Sequence, residues 1–200
     1  MKILVLNYEY PPIGGESGIV TKNMCEQLLK NGHEITVLTT WFKGEEENFQ
    51  KNNFRIFRLK SKRKSIEISN PKEMLLWIHF AKNFLKKHLI TENYNFCIAN
   101  FALPCGEVAY EMNLTYKLPY VIISHAYDIP WNFPKQMMWY HALTYQWIRK
   151  ICLSSKRNYI QTETEKNNID NFLGDKFFAK NKIIKNGEIL EYEMDFLKLF

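Results

Sequence analysis

With 200 residues, 46% of them apolar and 15% aromatic, the chain can bury one substantial core, which argues against a disordered protein. Its formal net charge of +6 favours anionic partners such as nucleotide phosphates or an acidic membrane surface. No RRM, zinc-finger or helix-turn-helix pattern accompanies that charge, so nucleic acid is not an expected partner.

The chain opens with a strand, Lys2 to Asn7, a dense apolar run suited to burial on both faces. That run is too short for a signal peptide, and no apolar stretch is long enough to cross a bilayer. A Pro-Pro and glycine-rich loop follows from Pro11 to Gly18, then a helix from Ile19 to Lys30 that stops at Asn31-Gly32. Glu34 to Thr39 reads as the second strand. Phe54 to Leu59 alternates apolar and basic residues, as a more exposed strand near a sheet edge does. Pro71 to Ile90 is a long amphipathic helix, Asn95 to Asn100 a buried strand, and Pro104 to Tyr116 a helix with proline near its start. Pro119 to Ser124 is a strand that delivers the segment His125 to Phe133. An aromatic-rich helix spans Lys135 to Ile151. Asn158 to Thr162, Glu163 to Leu173 and Lys182 to Lys185 complete the pattern as strand, helix and strand.

This alternation predicts an α/β fold, a doubly wound parallel sheet flanked by helices. Ligands on such sheets bind beyond the carboxyl ends of the strands, near the point where strand order reverses. Two post-strand loops therefore matter. In the first, Gly14, Gly15, Glu16, Ser17 and Gly18 precede a helix whose opening N–H groups lack internal partners and can receive an anion. Ser17 can cap that helix or offer a hydroxyl. The spacing is neither G-x-G-x-x-G nor a P-loop, which disfavours a dehydrogenase or a P-loop ATPase; a tight turn without a ligand is the alternative. In the second loop, His125 can bond a sugar hydroxyl or exchange a proton, and Asp128 can accept hydroxyls or fix the imidazole. The alternative there is a structural histidine, with Asp128 capping a turn before Pro130.

Cys25, Cys97, Cys105 and Cys152 stand in apolar stretches without a Cys-x-x-Cys pair, the pattern of reduced, buried thiols in a cytosolic protein. Six basic residues fall between Arg55 and Lys64. They suit either a charged sheet edge that resists pairing or an anionic membrane surface. Trp131, Phe133, Met137, Met138, Trp139, Tyr140, Tyr145 and Trp147 form an aromatic cluster, which at helical spacing is core more often than ligand site; the alternative is that some of them line an acceptor groove or rest at a lipid interface.

Together these segments resemble glycosyltransferase family 4, of GT-B architecture. The resemblance is carried by Lys2-Ile-Leu-Val-Leu-Asn-Tyr-Glu-Tyr-Pro-Pro-Ile-Gly14-Gly15, by Gly32-His33-Glu34-Ile-Thr-Val-Leu-Thr39, by Pro119-Tyr-Val-Ile-Ile-Ser-His125 with Asp128, and by Lys182-Ile-Ile-Lys-Asn-Gly187. It implies that residues 1–187 form the N-terminal Rossmann-like, acceptor-side domain, with 188–200 a linker or tail and the donor-binding domain absent. It further implies a retaining enzyme that takes a nucleotide sugar as donor and a glycan or lipid as acceptor, with neither metal nor cofactor. His125 would sit near the transferred sugar, Gly14 and Gly15 would face donor phosphates and acceptor, and Asn186-Gly187 would lead into the interdomain linker. Glu16 stands where the family often has a small residue. A carboxylate there repels a diphosphate, so Glu16 either points to an acceptor hydroxyl or marks a loop without a phosphate role. Ala126 stands where glycine is common. The chain alone is expected to be inactive, or to work with a separate C-terminal subunit, or to self-associate. Its expected location is cytoplasmic, with peripheral contact to the inner face of the membrane. The competing reading is a non-catalytic Rossmann-like module that binds a carbohydrate, a membrane or a partner protein.

Overall fold

A computed structural model describes residues 1–184 together with 195, 198 and 199, the side chains of 89 and 90 excepted. Eight strands form one sheet: β1 (Lys2–Leu6), β2 (Glu34–Thr40), β3 (Asn48–Lys51), β4 (Phe54–Leu59), β5 (Phe96–Asn100), β6 (Tyr120–Ile123), β7 (Arg157–Ile160) and β8 (Asn181–Ile183). Their spatial order is β3-β4-β2-β1-β5-β6-β7-β8. Every pairing is parallel except that of β3 with β4. Five helices connect them: α1 (Glu16–Lys30), α2 (Pro71–Glu92), α3 (Glu107–Tyr116), α4 (Pro134–Ser154) and α5 (Glu163–Leu173).

The central strands alternate between two cores. Leu4 and Leu6 of β1, Cys97 and Ala99 of β5, and Tyr120 and Ile122 of β6 face a core shared with Trp77 of α2, Val108 of α3, Ile148 of α4 and Ile169 of α5. Ile3 and Val5, Phe96 and Ile98, and Val121 and Ile123 face a second core with Met24, Cys25 and Leu28 of α1. Side chains that alternate along a strand, apolar on both faces, require helices on both faces. The chain thus winds outward from β1 over one face, is carried back by α2 to β5, and winds in the opposite direction over the other face. The reversal lies between β1 and β5.

Several boundaries differ from the sequence expectation, each for a local reason. Strand β3 was not expected: all four of its residues are exposed, so no apolar alternation marks it. It folds back on β4 through Asn52, which takes a left-handed φ of 51°. Helix α1 begins at Glu16, three residues before the apolar periodicity starts, and places Ser17 and Gly18 inside its first turn. Ser17 therefore does not cap it; Gly15 is the N-cap residue, with no side-chain bond. Pro104 lies before α3, in a wide turn over Phe101–Gly106 whose Leu103 is extended (φ −127°, ψ 136°). Two helix starts carry capping boxes that sequence spacing displays: Asn70 with Glu73, and Thr162 with Glu165.

The last strand, expected over Lys182 to Lys185, is Asn181–Ile183. Lys185, Asn186 and Gly187 lie outside the described residues. Of the expected tail, Asp195 is buried and accepts the Tyr159 hydroxyl at 2.7 Å, and Leu199 packs on the second core. All four cysteines are buried thiols.

The loop after β1 is held against α1 by close backbone approach. A Cβ built on Gly18 would lie 2.3 Å from the Glu9 carbonyl oxygen, whereas one on Gly15 meets nothing within 4 Å. Gly18→Ala is accordingly expected to cost about 2 kcal/mol or more, a melting temperature lower by about 5 °C, because the clash is with backbone. Gly15→Ala is expected to shift it by about 1 °C. Equal melting points for the two variants would contradict the packing described.

Candidate functional site

The reversal between β1 and β5 opens a crevice at the carboxyl ends of the strands. Asn7 follows β1, Asn100 ends β5, and His125 follows β6 by two residues. Asn7, Asn100 and Thr21 are each at most 1% exposed, so their polar groups need internal partners. Asn7 Nδ2 donates to Thr21 Oγ1 at 2.8 Å, and Asn7 Oδ1 accepts the main-chain N–H of Glu9 at 2.9 Å. The Thr21 hydroxyl lies between two acceptors, the Ser17 carbonyl at 2.8 Å and Asn100 Oδ1 at 2.9 Å. Asn100 Nδ2 donates to the Leu6 carbonyl at 3.3 Å, and its Oδ1 also meets His125 Nε2 at 3.1 Å. One polar chain thus ties the ends of three neighbouring strands to the first turns of α1.

His125 is half-buried, and its loss of hydration lowers its pKa from the ordinary 6.5 to about 4. Its ring is therefore neutral at pH 7. With Nε2–H donated to the Asn100 amide oxygen, Nδ1 is left as an acceptor. The Phe101 ring lies 4.6 Å from the imidazole, tilted by 46°, and Phe101 itself holds a left-handed φ of 68°. Ala126 likewise has a φ of 62°, a conformation that glycine adopts at less cost.

Asp128 does not fix the imidazole. Its Oδ1 accepts the His125 main-chain N–H at 3.0 Å and its Oδ2 accepts that of Ala102 at 2.8 Å, pinning the loops after β5 and β6 to each other. Burial raises its pKa to about 6 against the main-chain bonds, which lower it. Asp128 nevertheless lines a neighbouring cavity, together with Tyr127.

The crevice has a volume of about 320 Å³. It is lined by Gly15, Glu16 and Ser17 from the start of α1, by Phe101, His125, Ala126 and Tyr127 from the loops after β5 and β6, and by Glu9 and Gln161. Four of the six residues singled out in the sequence therefore meet in one space. Gly14 does not line it. Gly14 turns the chain at φ 80° against Glu9, and its N–H donates to the Ile66 carbonyl at 3.1 Å.

Sequence reasoning missed the asparagines, Thr21, and the pair Glu9 and Arg63. The Arg63 side chain is fully buried; it donates to Glu9 Oε1 at 3.3 Å and to the carbonyls of Ser65 and Ile66, and lies over the Tyr8 ring. This fixes Glu9 in the crevice lining. Three further basic residues of that stretch face acidic partners: Arg55 holds Glu92 through two bonds, Arg58 lies near Glu45, and Lys60 bonds Glu47. Lys62 and Lys64 are exposed. The stretch thus serves first in internal pairing. Among the described residues no group of three or more His, Cys, Asp and Glu side chains is placed to hold a metal ion, and no helix is long and apolar enough to cross a membrane.

A crevice at the reversal point of a sheet with this strand order defines a Rossmann-like, doubly wound domain. The model for Glycosyltransferase Family 4 matches residues 14–187, and the chain belongs to that family. An uncharacterized glycosyltransferase of Methanocaldococcus jannaschii is 35% identical over 91 residues, 44% of this chain and 21% of that protein. Among solved structures, a sucrose-phosphate synthase from Thermosynechococcus elongatus superposes with a TM-score of 0.76 at 11% identity, over 92% of this chain and 47% of its own. The catalytic domain of starch synthase IV from Arabidopsis thaliana does so with a TM-score of 0.66 at 8% identity, over 93% and 51%. The chain thus spans about half the length of these structures and about a fifth of the archaeal relative.

The titration of His125 is directly testable. The folded protein keeps the imidazole neutral down to about pH 4, whereas an unfolded chain protonates it near 6.5. Its contribution to stability is complete above pH 6.5 and is lost as pH falls to 4. Asp128, with a raised pKa, works with the opposite sign between 3.8 and about 6 and is common to wild type and variant. The stability of wild type relative to His125→Asn should therefore fall by up to about 3 kcal/mol between pH 6.5 and 4, measured by urea unfolding. A difference independent of pH would contradict the desolvated, neutral imidazole.

Proposed function

We propose that this chain supplies the acceptor-facing half of a retaining glycosyltransferase, which moves a sugar from a nucleotide-sugar donor to a glycan or lipid acceptor. The observation that carries this reading is the chemistry of the crevice. Among its lining residues are two carboxylates, Glu9 and Glu16, a neutral histidine with an open acceptor at Nδ1, and Gln161, but neither lysine nor arginine. Such a surface matches sugar hydroxyls, which donate to carboxylate and imidazole lone pairs. It matches a diphosphate poorly: only the opening N–H groups of α1 favour an anion there.

On this reading His125 receives a hydroxyl of the transferred sugar, Glu9 and Glu16 orient the acceptor, and the α1 N-terminus supports the outer edge of the donor phosphates. The cationic groups that stabilise a departing diphosphate belong to a second Rossmann-like half, either in a continuation of the chain or in a separate subunit. Transfer requires both substrates in one desolvated cleft, so the 200 residues alone bind without turning over. The starch synthase that shares this fold was solved bound to ADP and acarbose.

The test is amide chemical-shift mapping of the chain with UDP-glucose, ADP-glucose and GDP-mannose. At least one is expected to shift residues 15–17 and 125–127 with weak affinity, and Glu16→Gln to tighten that binding about fivefold by removing a like charge near the phosphates. Shifts confined to surfaces away from the crevice, or no response to any of the three, would contradict the reading.

A further inference from the structure

The cavity that Asp128 lines has a volume of about 340 Å³ and shares Glu9, Phe101 and Tyr127 with the crevice. That size lies within the ordinary range of small-molecule sites, about 300–1,000 Å³. Its lining combines two carboxylates, Glu9 and Asp128, with the rings of Tyr8, Phe101, Tyr127 and Tyr140. Neither lysine nor arginine is among its lining residues. A third carboxylate, the buried Glu73, accepts the hydroxyl of the lining residue Ser69 at 3.1 Å. The aromatic cluster of α4 is therefore not all core: Tyr145 packs on Phe172, Tyr140 lines this cavity, and Trp139 is 76% exposed.

The two lining carboxylates are incompletely matched by the protein. Arg63 donates to Glu9 Oε1 at 3.3 Å but also serves the Ser65 and Ile66 carbonyls, and Glu9 Oε2 accepts no hydrogen bond from the described residues. Asp128 is buried, and with a pKa of about 6 it is ionised at pH 7. Main-chain N–H groups and the Ser124 hydroxyl hold that charge, rather than a cation. Each Asp128 oxygen accepts one of the two loop N–H groups and keeps a further lone pair. A carboxylate withdrawn from water without a cation is costly, and a ligand that brings the cation lowers that cost. An anionic ligand would raise it. The faces of the surrounding rings attract cations as well.

We propose that this cavity takes an ammonium-bearing sugar or polyol, whose N–H groups are received by Glu9 and Asp128 and whose carbon skeleton lies among the aromatic rings. The inference rests on the acceptor reading above and narrows the acceptor to a cationic amine. Glu9, which lines both cavity and crevice, is then the residue that sets specificity. A neutral sugar finds hydroxyl acceptors here too, but it leaves the two negative charges unmatched.

The probes are methyl β-D-glucopyranosides that carry an amino group at carbon 2 or at carbon 6, their N-acetyl derivatives, the parent methyl glucoside, and the anionic methyl β-D-glucuronide. Binding to the full chain is followed by amide chemical shifts at pH 7. At least one of the two amines is expected to bind about tenfold tighter than its N-acetyl derivative and than the parent glucoside, the gain of one charge-assisted hydrogen bond. The shifts should gather at residues 8–9, 101–103 and 127–128, and the glucuronide should bind least. Glu9→Gln should cut the preference to about threefold or less. That variant strands the Arg63 charge; if it loses its fold, the wild-type comparison of amine with N-acetyl derivative decides alone. Equal affinities of both amines and their N-acetyl derivatives would overturn the proposal. So would shifts confined to surfaces away from the cavity, or a preference that a folded Glu9→Gln protein retains in full. If an amine binds as expected while no nucleotide sugar perturbs the crevice, the transferase reading fails and the amine site stands. The reverse pattern leaves the transferase reading and removes the amine site.

Discussion

Where β1 and β5 lie side by side and the chain leaves them in opposite directions, main-chain and side-chain polar groups are carried into the interior at the floor of a crevice. Each such group, if unpartnered, would cost about 1–3 kcal/mol. Asn7, Thr21, Asn100 and His125 meet that constraint collectively: each supplies what its neighbour lacks, and the chain of bonds runs across three strand ends. The same bonds decide the chemistry of the site. Since Asn100 receives Nε2–H, the imidazole presents an acceptor; since the ring has lost its hydration, it stays neutral. Asp128 adds the second restraint, joining the loops after β5 and β6 through their main-chain N–H groups. A loop rearrangement that moved His125 would break both sets at once.

The crevice so formed is acidic and neutral rather than basic, although the chain as a whole carries a net charge of +6. The excess positive charge does not converge on the site. Arg63 reaches its edge, and there it is buried against Glu9 and the carbonyls of Ser65 and Ile66. Net charge therefore does not describe the crevice, whose chemistry follows from its local composition. The proposed function uses this division: the half that receives neutral hydroxyls needs acceptors, and the half that handles a diphosphate needs cations.

Much of the fold was legible because its central strands obey one rule. Ile3 to Leu6, Phe96 to Ala99 and Tyr120 to Ile123 are apolar without a break, which only a strand covered on both faces requires. Glycine at 14, 15 and 18 located the turn after β1, and His125 at the end of an apolar run located the facing loop. What the sequence left hidden was whatever depends on contact between distant segments. Thr21 looks like any polar residue in the second turn of a helix, and Asn100 like an ordinary strand end; only their proximity, 79 residues apart, gives them a role. Glu9 stands in the loop where the glycines drew the attention, and Arg63 in a basic run whose members pair with four different carboxylates. Strand β3 was missed because an exposed hairpin carries no apolar period. The extent of α1 was misjudged because its first turn is built from Glu16, Ser17 and Gly18, which periodicity does not register.

The central claim is that the strand ends form one cooperative polar unit rather than a set of separate bonds. A double-mutant cycle on Thr21→Val and Asn100→Ala, read as unfolding free energies, tests it most directly. The network predicts a coupling of about 1 kcal/mol or more, because removing either residue already strips partners from the other. Strictly additive losses would mean that the two loops are positioned independently, and the crevice would then be an accident of packing rather than a built site.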